Sequence, residues 1–240
     1  MNFALSYIRY IVLTGSIILA AVLFLSLVSG SSLPASSYLK LDRLYGLIAV
    51  SFLYLALLAT PLTQAWPTIP YRVVYVKARR AIGVSAFFFG LLHALISFFV
   101  LLGGYSGLFF LNSTSALAIA LGFLQLLILA ILASTSFDSM VRKLGTRWKQ
   151  LHRLVYIAAF SILIHAIILG SDIGDWSNSI SQVFYIAVIF LFALEDLRIF
   201  GYLKRKFPTF SRRLLLAPCI LVYLVFSILL YRFMSFGHAH

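Results

Sequence analysis

A chain of 240 residues in which 62% are hydrophobic and only 10% charged is far more apolar than a soluble domain, where about a quarter of residues carry charge. Its excess of 19 Lys and Arg over 6 Asp and Glu, a net charge of +13, is read as the orientation signal of a membrane protein in contact with lipid, not as a nucleic-acid footprint. A soluble catalytic domain is excluded by length, since each span consumes about 20 apolar residues; Cys219 is the only cysteine, which excludes an intramolecular disulfide, a CxxC pair and a Cys-based iron–sulfur site.

Seven apolar segments follow in chain order: Ile8 to Ser29, Leu41 to Leu62, Ala81 to Leu102, Ser115 to Ser134, Leu151 to Gly170, Ile180 to Phe200 and Leu214 to Met234. They predict a single all-α transmembrane domain over residues 1–240, a polytopic bundle of about seven helices. The first segment is expected to be a retained anchor, because its apolar run exceeds a signal-peptide core of about 7–15 residues. Between segments stand turn formers: Ser-Gly-Ser-Ser with Pro34, then Pro67 and Pro70, Gly103-Gly104, Gly170 to Asn178, and Pro208. No phosphate-cradling Gly-rich loop, dinucleotide fingerprint or nucleophile elbow is present, and no catalytic residue is assigned.

The connections alternate in charge. The second carries Arg72, Lys77, Arg79 and Arg80, the fourth Arg142, Lys143, Arg147 and Lys149, and the sixth Arg198, Lys204, Arg205, Lys206, Arg212 and Arg213. The third and fifth contain no Lys or Arg. The positive-inside rule therefore places the even connections and the N-terminus in the cytoplasm and the C-terminus outside. Trp66, Trp148 and Trp176 fall in or beside connections, as in an interfacial belt.

Of five histidines, His238 and His240 belong to the terminal tail, while His93, His152 and His165 lie in or at the ends of spans. His93 stands roughly 18 Å above Ala81, and His165 roughly 21 Å above Leu151, on helices expected to run parallel. Strongly polar side chains at one membrane depth predict a shared ligand. The plainer alternative is a neutral histidine bonded to a carbonyl or to Ser85, Ser97 or Ser161. Zinc usually takes four ligands, and no Cys or acidic residue is expected beside the pair. A haem needs only two axial imidazoles. His152 and His165 are 13 residues apart, which on an ideal helix separates them by about 140°. Either the helix is distorted or the two rings address different sides of the bundle.

Three stretches resemble a known family. RRAIGVSAFFFGLLH runs from Arg79 to His93, LASTSFDSMVRKLGTRWKQLHRLVY from Leu132 to Tyr156 with His165 following, and LATPL spans Leu58 to Leu62 with Gly46 upstream. Over residues 40 to 170 the chain resembles the ferric-reductase-like transmembrane family and, within it, the MsrQ group of haem-binding membrane subunits from bacterial periplasmic methionine-sulfoxide reductase systems. The resemblance implies a core at about 40–200 with an additional C-terminal helix at about 214–234. It implies haem b, one or two, with FMN as a further cofactor. His93 and His165 would be the axial iron ligands, and His152 a haem-contacting residue or the ligand of a second haem. It also implies a multi-pass protein of the bacterial inner membrane. As an electron-transfer subunit rather than a complete enzyme, it would take electrons from quinol or a cytoplasmic flavin reductase. A periplasmic molybdenum-containing reductase of the MsrP type would receive them.

The chain also departs from that pattern. A seventh span is expected where six are usual, Leu47 replaces a basic residue, and Glu195, Asp196 and Arg198 are unfamiliar. The wider family's second histidine on the third helix is here Arg79 or Arg80, so an inner haem could not have the usual histidine pair. Either arginine could meet a propionate, although orientation charge is the simpler role. Two alternatives remain: a stand-alone ferric or other metal reductase, and a proton-coupled transporter using the histidines, Glu195 and Asp196. A reporter fused after Gly104 is expected to report the outside; a cytoplasmic signal would break the alternation of spans.

Overall fold

The computed structural model describes residues 2–28, 34–175, 177–208, 211 and 220. Every regular element among them is helical: α1 (Asn2–Val28), α2 (Pro34–Ala65), α3 (Arg72–Ile96) running into a π-turn (Ser97–Leu101), α4 (Tyr105–Leu108), α5 (Ser113–Ser134), α6 (Asp138–Leu144), α7 (Thr146–Leu151), α8 (Leu154–Leu169), α9 (Ser171–Gly174) and α10 (Ser179–Lys206). Five stretches among the described residues are long and apolar enough to cross a membrane, Tyr7–Val28, Ala35–Ala65, Arg72–Leu101, Ser113–Ser134 and Thr146–Leu169. The sixth expected span lies within α10. The seventh, Leu214 to Met234, lies outside the described residues apart from Ile220, as do residues 29–33, Trp176, Arg212, Arg213, Cys219, His238 and His240.

The helices outrun the apolar segments that predict them. α3 begins at Arg72 rather than Ala81, because Lys and Arg form helix well even though their hydropathy ends the apolar run. α2 begins at Pro34 rather than Leu41, where the missing proline N–H is an unpaired helix donor in any case. Asn112 caps α5 by accepting from the Ser115 N–H at 2.7 Å. The fifth segment is not one helix. Between α7 and α8, the N–H groups of Arg153, Val155 and Tyr156 bond to carbonyls only three residues back, a tightened turn that breaks the α-helical phase at His152.

The chain divides into two compact units, one of Met1–Ala59 with Tyr71–Gly170, the other of Thr60–Pro70 with Ser171–His240. In the first, α5 packs along α8, and α3 packs against both α1 and α5. Side-chain bonds give the helix directions. Early in α3, Arg79 Nε donates to the Ala56 carbonyl at 3.1 Å and Arg80 to the Ser136 carbonyl at 3.2 Å. Late in α3, His93 meets Asp42. α2 and α5 therefore run opposite to α3. His152 meets Thr135 whereas His165 meets Ala118, so α8 also opposes α5 and parallels α3, as the span alternation requires. In the second unit, Ser181 Oγ donates to the Ile173 carbonyl at 2.8 Å, Trp66 stacks on Phe190, and Glu195 pairs with Arg198 at 2.8 Å.

Inside the first unit Leu41, Tyr45, Phe89 and Ala20 form a buried cluster, and Ala56, Ala78 and Ile82 a second. Outward, Phe123, Leu127 and Ile131 form an exposed stripe on α5 at i, i+4 spacing, the surface expected where the solvent is lipid. Polar bonds join helices within the bundle: Ser16 Oγ to Ser85 Oγ at 2.8 Å, and Tyr45 Oη to the Ala20 carbonyl at 2.8 Å.

At the basic end, Asp138 accepts from Arg9 at 2.7 Å and from Arg80 at 2.8 Å, tying α1, α3 and α6 together. The Arg80 guanidinium, and then that of Arg9, hold its carboxyl below the usual carboxylate range. A depressed folded-state value gives a contribution complete above about pH 4 and lost as pH falls through that lower value. Because Asp138 is half exposed, Asp138→Asn is expected to cost less than about 1 kcal/mol at neutral pH, and a smaller amount at acid pH, as the native carboxylate takes up its proton. Thermal unfolding in detergent at both pH values checks this; an equal deficit at both would contradict it.

Candidate functional site

His93 lies one turn before the end of α3 and His165 one turn before the end of α8. Each is at the same height on one of two parallel helices, and the rings face each other with centroids 6.3 Å apart and planes at 81°. The pair is anchored from behind. His93 Nδ1 lies 3.1 Å from the Asp42 carbonyl oxygen and 2.9 Å from Asp42 Oδ1; His165 Nδ1 lies 2.8 Å from the Ala118 carbonyl. Carbonyl and carboxylate oxygens only accept, so each Nδ1 must carry the proton, and in the neutral ring each Nε2 keeps its lone pair.

Each anchor sits one helical turn before a glycine. A Cβ on Gly46 would lie 3.3 Å from His93 Nδ1, and a Cβ on Gly122 would lie 2.9 Å from His165 Cε1 and 3.0 Å from Nδ1. Any larger residue at 122 pushes the ring off its carbonyl. Glycine inside a helix costs about 1 kcal/mol relative to alanine, and here that cost is the condition for close approach of an imidazole to the backbone.

The arrangement fits haem iron better than zinc. Two imidazole nitrogens bound to one metal ion at about 2 Å each set ring centres roughly 6 Å apart, close to the observed spacing. Among the described residues no group of three or more His, Cys, Asp or Glu is placed to hold a metal; two imidazoles are the donor set a haem would need, its remaining ligands coming from the macrocycle. The His93 side chain keeps 26% of its surface open, which leaves the ring accessible to a ligand.

The structure does not bring His152 to this pair. Its partner Thr135 lies 17 residues beyond Ala118 on α5, roughly 25 Å along the helix. The Thr135 hydroxyl donates to the Ile131 carbonyl at 2.7 Å, so its oxygen accepts from His152 Nε2 at 3.2 Å. His152 thus carries its proton on the opposite nitrogen from the other two. Trp148 stacks on the ring at 4.0 Å and donates through Nε1 to the Thr135 carbonyl at 2.9 Å. The helix break resolves the angular conflict between His152 and His165. Ser85 and Ser97 do not bond to the histidines: Ser85 meets Ser16, and Ser97 donates to Asp42 Oδ1 at 2.7 Å.

The ferric reductase like transmembrane component family matches residues 45–163. Proteins from Brucella ovis, Brucella abortus and Brucella melitensis, each named the haem-binding subunit MsrQ of protein-methionine-sulfoxide reductase, are 31% identical to the chain over 179 residues, covering 72% of it and 73% of their own length. The chain belongs to this MsrQ-like, ferric-reductase-like transmembrane family. With five span-length stretches among its described residues, it is a multi-pass membrane protein. No solved structure matches it. The family match includes Gly46, His93, Gly122 and His152 and ends two residues before His165.

One expectation is corrected. An acidic residue does accompany the pair: Asp42, 7% exposed, holds His93. Its position at the head of the second apolar segment makes it look like an interfacial charge, and only the antiparallel pairing of α2 with α3 brings it to His93. Gly122 carried a weak signal, as a lone glycine in a leucine-rich helix. Gly122→Ala is expected to lower the expected haem content of purified protein several-fold and Gly46→Ala to lower it less, read by pyridine haemochrome against protein; equal retention in both variants would contradict the cradle geometry.

Proposed function

We propose that this chain is the membrane haem-binding, electron-transfer subunit of a protein-methionine-sulfoxide reductase system, with one b-type haem held between His93 and His165. The observation that carries the reading is the facing pair of imidazoles, each with Nδ1 committed to a carbonyl and Nε2 left free. Bound there, haem iron would carry one electron at a time between its ferric and ferrous states. The chain's residues hold and orient the ligands, and the apolar helices around them keep water from the site. FMN enters this reading only as a further cofactor admitted by family likeness.

By the same likeness, quinol or a flavin reductase on the cytoplasmic side supplies electrons, a periplasmic molybdenum-containing reductase accepts them, and the bacterial inner membrane is the location. The relatives' shared name supports that system. His152 stands outside the pair; to ligate a second haem through Nε2 it would have to give up its bond to Thr135. The family's description as a ferric reductase like component favours one second reading, a stand-alone metal reductase. That protein would reduce ferric or cupric chelates without a partner.

The purified, dithionite-reduced protein is expected to show the visible spectrum of a bis-imidazole haem at one haem per chain. His93→Ala and His165→Ala should each abolish it, with the fold retained by circular dichroism. An unaltered spectrum in the double variant, or colourless wild-type protein expressed with excess haem, would contradict the proposal.

A further inference from the structure

The two imidazoles are not held alike. His165 Nδ1 has a backbone carbonyl as its partner, at 2.8 Å. His93 Nδ1 faces both a carbonyl and a carboxylate oxygen of Asp42, at 3.1 and 2.9 Å. The carboxylate is buried, and the oxygen that meets His93 also accepts from Ser97 Oγ at 2.7 Å. Ser97 begins the π-turn that follows α3, so the hydroxyl stands one turn beyond His93 on the same helix. π-turns are frequent at functional sites. Neither the family likeness nor the histidine spacing assigns Asp42 a role.

A hydrogen bond from imidazole to carboxylate is charge-assisted and roughly twice as strong as one to a neutral carbonyl. It draws the proton from Nδ1 and makes Nε2 a more basic ligand. A more basic ligand, and a negative charge in a low-dielectric interior, both favour ferric over ferrous iron. We propose that Asp42 is a positioning residue that acts through His93 to hold the reduction potential of the site well below the value two carbonyl-anchored imidazoles would set, with Ser97 moderating it by sharing the same oxygen. This inference rests on the haem reading and deepens it: the site is tuned as a strong one-electron donor from the His93 side.

The test is redox titration of the purified protein, followed in its visible spectrum. Asp42→Asn keeps the backbone carbonyl that orients His93 and removes the charge. At a fixed electrode potential it is expected to raise the ferrous-to-ferric ratio about ten-fold, which for a one-electron couple is about 59 mV. Haem content should stay near the wild-type value. Ser97→Ala frees the shared oxygen for His93 and is expected to move the ratio the other way. A haem-bound Asp42→Asn protein with the wild-type potential overturns the proposal while leaving the haem assignment standing. If Asp42→Asn retains no haem, Ser97→Ala decides: a lowered potential supports the proposal, an unchanged or raised one overturns it. Wild-type protein without haem would instead sink the functional reading itself.

Discussion

Two N–H···O=C bonds govern this structure. Each fixes the proton of one imidazole on Nδ1, aims the ring across the bundle and leaves a lone pair on Nε2. In an α-helix the carbonyls of residues 42 and 118 are the partners of the N–H groups of residues 46 and 122, and a carbonyl has a second lone pair to offer. Residues 46 and 122 are the two glycines whose missing side chains let His93 and His165 come close enough to use it. Anchor and cradle are thus one device, used once on α2 and once on α5.

The rest of the bundle brings those two devices to one level. α3 and α8 must be parallel, and α2 and α5 antiparallel to them, for residues 42 and 118 to stand behind residues 93 and 165. Where lipid is the solvent, apolar burial separates helix from helix poorly, and close packing with polar links holds the set instead. Ser16 with Ser85, Tyr45 with the Ala20 carbonyl, and Arg79 with the Ala56 carbonyl supply such links. At the far end Arg80, Arg9 and Asp138 form a small ion network. Arg80 is engaged there by Asp138 and the Ser136 carbonyl, which suits a charge at the helix ends.

The first five span positions and the histidine pair were legible in the sequence because both depend on one helix at a time: an apolar run of bilayer length, and a residue's rise above the helix start. Asp42 was not legible, since its role depends on which helix lies behind α3 and in what register. Gly122 was half legible, an unfavoured residue in a helix with no local reason for being there. The break at His152 could not be read from periodicity, because the apolar pattern continues across a tightened turn that changes the angular phase of everything after it. Helix ends were misplaced wherever charged helix formers extend a helix beyond the hydrocarbon region, as at Arg72 to Arg80.

An experimental structure of the protein purified with its haem, with iron located by anomalous scattering, tests the central claim most directly. The account predicts one iron on the line between His93 Nε2 and His165 Nε2, with both Nδ1 atoms still on the residue 42 and residue 118 carbonyls. Iron bound elsewhere, or either ring turned toward lipid with its Nδ1 released, would contradict it.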